Sequence, residues 1–430
     1  MATVTPARLV AGLRRRGGVA RGGAAGLAAA GVSAAAQFAL VMVVTRAVSA
    51  AEAGAFFAAT AVVLMAAGVA KLDAGNGLVF FIARAKAAGH HGTSGYVRAA
   101  TVPCAVAAIV ATALLWPRVG PVAAIVPVIV LGDVLLAATR GFGSLRPTVL
   151  LDGMALPAAQ LALIAAAALA GRPEWLPLAW ALPYAPVLVL AALAVRRRTP
   201  RGPGLPGAGR DLWRYTAPRS FAGAIQAVFQ RLDVVVVALL AGPAQAAVYT
   251  AATRFKVVGQ LANQGLTQAV QARLVSALAL GELARARELY QTATVWLVLL
   301  TWPVWLAYAA LAPWLLAVFG PAYGTAAPVA LVLAGTMMVA TACGMVDVVL
   351  TAAGHTGLSL LNLLAAVACT LVLDLALVPA HGALGAVAGW SGGVLVKNLL
   401  PLWQLHRRYG LRPFGRHTAA ALRLHTWAAI

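Results

Sequence analysis

The sequence predicts an all-α polytopic membrane protein with about twelve transmembrane helices in two six-helix bundles. The chain has 430 residues, of which 62% are hydrophobic and only 10% are charged. Nearly every stretch between its short polar breaks is long enough to cross the roughly 30 Å of hydrocarbon in a bilayer. A third observation is a basic break near the middle of the chain, which separates six predicted spans from six more.

The predicted spans follow the apolar stretches, with boundaries good to a few residues. They lie at approximately 24–46, 53–72, 97–116, 121–141, 148–170, 177–195, 217–240, 248–272, 290–312, 322–346, 358–379 and 382–403. The apolar stretch behind the basic N-terminus is followed directly by further spans, so we interpret it as an uncleaved first helix.

Basic residues mark one side of the membrane. Arginines and lysines precede the first span and follow the second, fourth, sixth, eighth and twelfth, whereas the opposite loops hold little beyond Arg46, Arg118 and Arg172. By the positive-inside rule both termini are cytoplasmic, which requires an even number of spans. Ten or fourteen spans satisfy the same rule.

The stretch at 196–216 is rich in arginine, proline and glycine and predicts a flexible cytoplasmic linker. It divides the chain into an N-terminal bundle at 1–195 and a C-terminal bundle at 217–404, followed by a basic cytoplasmic tail at 405–430. The halves echo each other weakly, since AAEAGAFFAAT from Ala50 compares with PAQAAVYTAAT from Pro243. Such a repeat relates the halves by an axis along the membrane normal and places a substrate path between them.

Two polar stripes interrupt the apolar spans. In the eighth span, helical spacing places six side chains within roughly 100° of each other: Lys256, Gln260, Asn263, Gln264, Thr267 and Gln271. In the seventh, the same spacing groups Arg219, Gly223, Gln226, Gln230 and Asp233. Such stripes are expected to face water, a ligand or another helix. Arg231 and Arg254 are further charges at membrane depth, although Arg254 and Arg219 also fit side chains that snorkel to the interface.

Isolated acids are the candidates for ion coupling. Asp133, Asp347 and Asp374 stand in apolar surroundings, and Asp233 belongs to the seventh span. A carboxylate at that depth can bind and release a proton or a sodium ion, and the alternative is a structural hydrogen bond or salt bridge. Lys71 and Asp73, at the end of the second span, are interpreted as a surface pair at the interface.

Several function classes lack support. The net charge of +22 raises nucleic-acid binding, but no continuous basic patch with interleaved aromatic residues is present. The sequence contains no GxxxxGK[ST] loop, so it does not predict ATP hydrolysis. The histidines show no HExxH-like arrangement. Cys104, Cys343 and Cys369 lack metal-ligand spacing and are predicted to be small core residues. We therefore expect no cofactor, no bound metal and no nucleic-acid partner.

Five segments together resemble the Wzx-type polysaccharide flippases of the multidrug/oligosaccharidyl-lipid/polysaccharide exporter superfamily. They are VTRAVSAAEAGAFFAATAVV, YTAPRSFAGAIQAVFQRLDVVVVALL, AVYTAATRFKVVGQLANQ, WLLAVFGPAYGTAAPV and PAHGALGAVAG. The similarity runs from about Gly26 to Arg408. It implies two six-helix bundles arranged as a V-shaped exporter, alternating access, and a central cavity lined mainly by helices one, two, seven and eight. It also implies a bacterial cytoplasmic-membrane protein that is a transporter and not an enzyme.

The resulting hypothesis is a flippase that moves a polyprenyl-linked oligosaccharide across the membrane, driven by an ion gradient. Amides can hydrogen-bond sugar hydroxyls, and a few cations can hold the diphosphate. The expected substrate-binding residues are Arg219, Gln226, Gln230, Arg231, Arg254, Lys256, Gln260, Asn263, Gln264 and Gln271. Expected partners are the lipid-linked glycan, membrane lipids, and a glycan polymerase or glycosyltransferases. Alternatives are a cation-coupled drug efflux transporter, a membrane glycan polymerase or glycosyltransferase, and a noncatalytic scaffold.

Overall fold

The computed structural model describes residues 6–90, 92–199 and 207–421. Within these ranges it leaves out the side chains at 6–25, 27, 258, 260–262, 264, 267–269, 272 and 419–421. The described residues are helical almost throughout and contain no strand, which confirms the predicted all-α class.

The helices are short or long according to where proline, glycine and polar breaks interrupt the apolar sequence. The α-helices are α1 Pro6–Ala47, α2 Ala50–Ala70, α3 Ala74–Ala87, α4 Ser94–Val119, α5 Val126–Gly141, α6 Leu156–Leu169, α7 Leu176–Ala181, α8 Tyr184–Arg198, α9 Ala208–Phe229, α10 Leu232–Leu240, α11 Pro243–Thr253, α12 Lys256–Ala279, α13 Leu283–Ala310, α14 Ala312–Ala317, α15 Ala327–Ala342, α16 Val346–Ala352, α17 Thr356–Tyr409 and α18 Arg416–Ala421. Short 3₁₀ helices lie at Gly120–Ile125, Pro173–Trp175 and Pro321–Ala326, and a π-helical segment at Thr148–Ala155.

Eight stretches of the described chain are long and apolar enough to cross a membrane, or nine if α9 and α10 form one broken span. Two of them, Ser94–Gly141 and Thr356–Tyr409, each contain two predicted spans. The predicted eighth span corresponds to α11 and α12, whose polar stripe lowers their hydropathy. Each of the twelve predicted spans therefore falls on helical structure.

The second span ends in a turn with an uncommon backbone. Leu72 and Asp73 both have positive φ, at 49° and 51°, a conformation that non-glycine residues adopt only when their surroundings hold them there. Here Ser220 Oγ donates to the Leu72 carbonyl at 2.6 Å, and Arg219 Nε donates to Asp73 Oδ2 at 2.9 Å. The side chain of Lys71 pairs with Asp133 instead of Asp73, at 2.8 Å, so the interpretation of Lys71 and Asp73 as a surface pair is wrong.

Contacts divide the chain into two compact units. The first comprises Met1–Ala47 and Ala59–Gln230, and the second comprises Val48–Ala58 and Arg231–Ile430. The division falls at Gln230–Arg231 and not within 196–216, because α9 begins at Ala208, inside the predicted linker, and packs against α3 and α4 of the first unit.

In the first unit, α5 is the central helix and packs against α3, α4 and α8, while α1 packs against α6. Part of its core consists of Leu136, Leu156, Val187 and Ala191, contributed by α5, α6 and α8. Apolar side chains on these helices are buried within the unit, whereas many others, such as Val102 and Leu114 on α4, are exposed. Exposed apolar side chains on long helices are what a lipid-facing surface requires.

In the second unit, α12, α13, α16 and α17 enclose a core that includes Val270, Leu274, Tyr290 and Val349. The two segments that echo each other in sequence meet here, because Gly54 at the start of α2 packs directly on the backbone of Pro243 at the start of α11. Any Cβ at position 54 would overlap the Pro243 carbonyl, so this contact requires glycine.

The last long helix is two helices joined at Gly382, whose φ of 55° and ψ of −129° are not helical. Three glycines follow this break in the sequence and pack on the preceding half of α17. Gly385 contacts Leu377, Gly389 contacts Asp374, and Gly393 contacts Thr370. These three glycines form a small-residue ridge along which the two halves of α17 pack closely.

The basic tail is partly structured within the described residues. Gln291 on α13 is buried, donates to the Arg412 carbonyl at 3.2 Å and accepts from the His417 backbone at 3.3 Å. Leu411 is fully buried in the core of the second unit. The tail is thus attached to α13, which its charge alone did not predict.

Candidate functional site

A charged cluster lies in the second unit where α10, α11 and α12 begin or end. Asp233, in the first turn of α10, is largely buried, and its Oδ2 accepts a hydrogen bond from Tyr249 Oη at 2.6 Å. Its Oδ1 accepts from the Val234 backbone at 3.0 Å. These bonds fix the orientation of the carboxylate, since each oxygen has a donor of its own.

Lys256, the first residue of α12, supplies the cation next to this carboxylate. Its Nζ lies 3.5 Å from Asp233 Oδ2, and the two side chains are only 16% and 10% exposed. The ammonium also lies 4.4 Å from the ring centroid of Trp390 and 5.6 Å from that of Tyr249. One long ion pair and two cation–π contacts hold the ammonium beside Asp233.

Two arginines of the predicted site belong to the same neighbourhood. Arg231 directly precedes α10, and Arg254 lies at the end of α11. Arg254 is near enough to Arg231, Asp233 and Lys256 for their charges to interact. Three cations and one carboxylate therefore lie in the same neighbourhood of the second unit.

Asp374, on the first half of α17, is completely buried. Neither of its carboxylate oxygens has a hydrogen-bond partner among the described residues, and the same holds for the hydroxyl of the buried Thr370, one helical turn away. Gly389 packs against the carboxylate, and Asp233 is near enough to interact with it electrostatically. Buried polar atoms without a protein partner are rare in folded proteins, which distinguishes Asp374 from the other acids of the described residues.

The predicted site residues of the seventh span lie in two units. Arg219, Gln226 and Gln230 belong to the first unit, whereas Arg231 and Asp233 belong to the second. Arg219 is about half exposed and pairs with Asp73, while its guanidinium lies 5.6 Å from the Tyr215 ring. The helix breaks between Phe229 and Leu232, with Arg231 outside helical geometry. Because helical spacing does not continue across this break, the prediction that Asp233 shares one face with Arg219, Gln226 and Gln230 is wrong.

The amides of the predicted stripes are accessible where the structure describes them. Gln230, Asn263 and Gln271 are exposed, and Gln226 is half-buried. The side chains of Gln260, Gln264 and Thr267 lie outside the described residues, although α12 runs through them without interruption. The role of these amides stays a prediction.

Besides Asp233, two of the predicted ion-coupling acids have protein partners. Asp133 pairs with Lys71 at 2.8 Å, and Asp347 Oδ1 accepts from Ser359 Oγ at 2.5 Å. Both contacts match the structural alternative considered for these acids. Asp374 differs from them because both of its oxygens lack a described partner.

Tyr249, Trp390 and Thr370 contact or adjoin the charged cluster, and the sequence did not single them out as site residues. Tyr249 and Trp390 stand in apolar surroundings typical of core aromatics. Trp390 is far from Lys256 in the sequence, so no local pattern links them. The one available signal was the position of Trp390 directly after Gly389, within the small-residue ridge.

The chain has the fold of known membrane transporters. A multidrug-resistance MATE family transporter of the MOP superfamily, in an inward-facing conformation, matches with a TM-score of 0.70 and 16% identity over 88% of this chain and 95% of that one. The lipid II flippase MurJ, in an inward closed conformation, matches with a TM-score of 0.71 and 10% identity over 92% and 90%. A MOP superfamily transporter from Pyrococcus furiosus, described as having a binding pocket of reverse polarity, matches with a TM-score of 0.56 and 16% identity over 90% and 95%.

No protein-family model matches the chain, and no match was found among curated proteins. At these identities the structural matches show a shared fold over nearly the whole chain. They confirm the predicted polytopic helical architecture. The finer resemblance to Wzx-type flippases stays a prediction from the sequence.

Proposed function

We propose that the protein is a flippase that moves a polyprenyl-linked oligosaccharide across the bacterial cytoplasmic membrane, coupled to an ion gradient. The observation that carries the proposal is the cluster of Arg231, Arg254 and Lys256 around Asp233, at membrane depth. A transporter fold supports it, because one of the matched structures is a flippase for lipid II.

The cluster suits an anionic headgroup. Among the described residues it combines three cations with two carboxylates, Asp233 and Asp374, so cationic charge exceeds anionic charge. One guanidinium group can donate two parallel hydrogen bonds to a phosphate, and an ammonium contributes a point charge. The exposed amides of Asn263 and Gln271, further along α12, can donate to and accept from sugar hydroxyls.

Ion coupling is assigned to Asp374, with Asp233 as its neighbour. A buried carboxylate whose two oxygens lack a described partner gains one when a proton or a sodium ion binds, and Thr370, one helical turn away, carries a hydroxyl that also lacks a described partner. Asp133 and Asp347 are weaker candidates because Lys71 and Ser359 already satisfy them.

Drug efflux is the second candidate, and one observation favours it. Tyr249 bonds to Asp233, and both Tyr249 and Trp390 contact the ammonium of Lys256, so aromatic rings surround a site that suits an amphipathic organic cation. In this structure, however, Lys256 takes the position that such a cation requires. The two functions therefore predict opposite effects of removing the lysine.

Binding of polyprenyl diphosphate to the purified full chain, followed by native mass spectrometry, tests the proposal. Lys256→Ala and Arg254→Ala are each expected to weaken binding about tenfold, since each removes one charge-assisted contact. Lys86→Ala, on the exposed surface of α3, is the matched control and is expected to bind as the wild type does. The flippase proposal is wrong if Lys256→Ala and Arg254→Ala leave the affinity for polyprenyl diphosphate unchanged and Lys256→Ala binds an organic dye cation more tightly. That result favours efflux.

A further inference from the structure

The described residues of the first unit form a pocket of about 740 Å³, at the end of α3 and the beginnings of α4 and α9. Its lining includes Phe81, Arg84, Tyr96, Asp211, Arg214 and Tyr215. None of these residues belongs to the charged cluster around Asp233, so the pocket is a separate feature of the chain.

The charges of this pocket favour an anion. Arg84 and Arg214 line it, and neither side chain makes an ion pair or a hydrogen bond to another residue of the described ranges. Asp211 is the one carboxylate among the lining residues, so cationic charge exceeds anionic charge.

Aromatic rings lie in and beside the pocket: Phe81, Tyr96 and Tyr215 line it, and Phe80 lies next to the lining residue Tyr215. Phe81 stacks on Tyr96 with ring centroids 5.3 Å apart, and Phe80 stacks on Tyr215 at 5.0 Å. Phe80 and Tyr215 are 43% and 37% exposed. Exposed aromatic rings that lie beside arginines at helix ends are typical of the headgroup level of a bilayer.

We propose that this pocket binds the phosphate headgroup of an anionic membrane phospholipid. Arg84 and Arg214 contact the phosphate, and the exposed rings of Phe80 and Tyr215 pack against the glycerol and the first acyl carbons. The pocket is several times larger than a phosphate ion, whose volume is on the order of two water molecules. A ligand with an apolar portion therefore uses its aromatic wall, which inorganic phosphate does not.

Native mass spectrometry of the purified full chain tests this assignment without any transport cargo. Phosphatidylglycerol is titrated in one arm, zwitterionic phosphatidylcholine in a second, and inorganic phosphate competes in a third. We expect phosphatidylglycerol to bind and phosphatidylcholine to bind at least tenfold more weakly. Arg84→Gln and Arg214→Gln are each expected to weaken phosphatidylglycerol binding about fivefold, and the double variant about 25-fold.

Two further variants separate the site from general effects. Asp211→Asn removes the opposing carboxylate and is expected to tighten binding severalfold, a gain that a misfolded protein does not produce. Arg98→Gln changes an exposed arginine on α4 that does not line the pocket, and it is expected to leave binding unchanged. Equal binding of both phospholipids, or an Arg98→Gln loss as large as that of Arg84→Gln, overturns the proposal. If millimolar inorganic phosphate displaces the lipid, the assignment of a phospholipid to this pocket is wrong.

Discussion

The ammonium of Lys256 lies 3.5 Å from the carboxylate of Asp233, so a cation of the protein itself stands beside an acid predicted to take part in ion coupling. Both side chains are largely shielded from solvent, and the Tyr249 hydroxyl shares the same carboxylate oxygen. The pair links the start of α12 to the start of α10. A ligand that attracts either charge therefore changes the environment of the other.

Removing one member of this pair is expected to destabilise the protein more than removing both. Lys256→Met and Asp233→Asn singly each leave a poorly compensated charge, at a cost of about 3 kcal/mol, whereas the double variant recovers most of the loss. Unfolding of the purified protein in detergent measures the free energy of each variant. Additive losses in the double variant contradict the pairing, and Lys86→Met serves as an exposed control.

Asp374 is expected to make the stability of the protein depend on small cations. A ligand that binds only the folded state raises the free energy of unfolding by about 1.4 kcal/mol when its concentration is roughly ten times the dissociation constant. The midpoint of thermal unfolding should therefore rise when sodium replaces choline or when the pH is lowered. Asp374→Asn should abolish this response, and Asp347→Asn, whose native acid bonds to Ser359, should retain it. A response that survives Asp374→Asn excludes Asp374 as the ion site.

Gly389 is expected to tolerate no side chain. Its Cβ would overlap the Asp374 carboxylate, so Gly389→Ala should destabilise the protein by about 1–3 kcal/mol and alter the cation response described above. Gly357, also on α17, has open space where its Cβ would lie, and Gly357→Ala should be neutral or slightly stabilising. Comparable thermal stability of the two variants would show that the halves of α17 are not packed as described.

The attachment of the tail to α13 is expected to depend on Gln291. Its amide bonds to the backbone of Arg412 and His417, so Gln291→Leu leaves both tail groups without their partner. Limited trypsin digestion should then cleave after Arg416 several times faster than in the wild type, while the transmembrane helices stay intact. Gln271→Leu, an exposed glutamine on α12, should leave the cleavage rate unchanged.

The transmembrane helices could be predicted because the length of an apolar stretch decides whether it crosses a bilayer. The partners of the charged side chains could not be predicted from the sequence. Lys71 pairs with Asp133, and Arg219 pairs with Asp73, across separations that no local pattern reveals. The stripe on the seventh span was extended to Asp233 on the assumption of a continuous helix, and the break at Gln230–Arg231 removes that assumption.

Four of the predicted site residues nevertheless lie near one another in the second unit. Arg231, Arg254, Lys256 and Asp233 were singled out because a charge in an apolar span needs a partner, and the structure brings them together in one unit. Asp374 was one of several equivalent acids in the sequence. Only three-dimensional packing distinguishes it, through its burial and the close approach of Gly389.

Gradient-driven translocation in reconstituted vesicles tests the central claim most directly. Vesicles that contain the full chain and a fluorescent polyprenyl-diphosphate-linked glycan are given a sodium or proton gradient, and the glycan that reaches the opposite leaflet is measured with a membrane-impermeant quencher. The account predicts that translocation follows the gradient in the wild type, stops responding to it in Asp374→Asn, and persists in Asp347→Asn. Wild-type vesicles that move no glycan under either gradient, or an Asp374→Asn variant as responsive as the wild type, would contradict it.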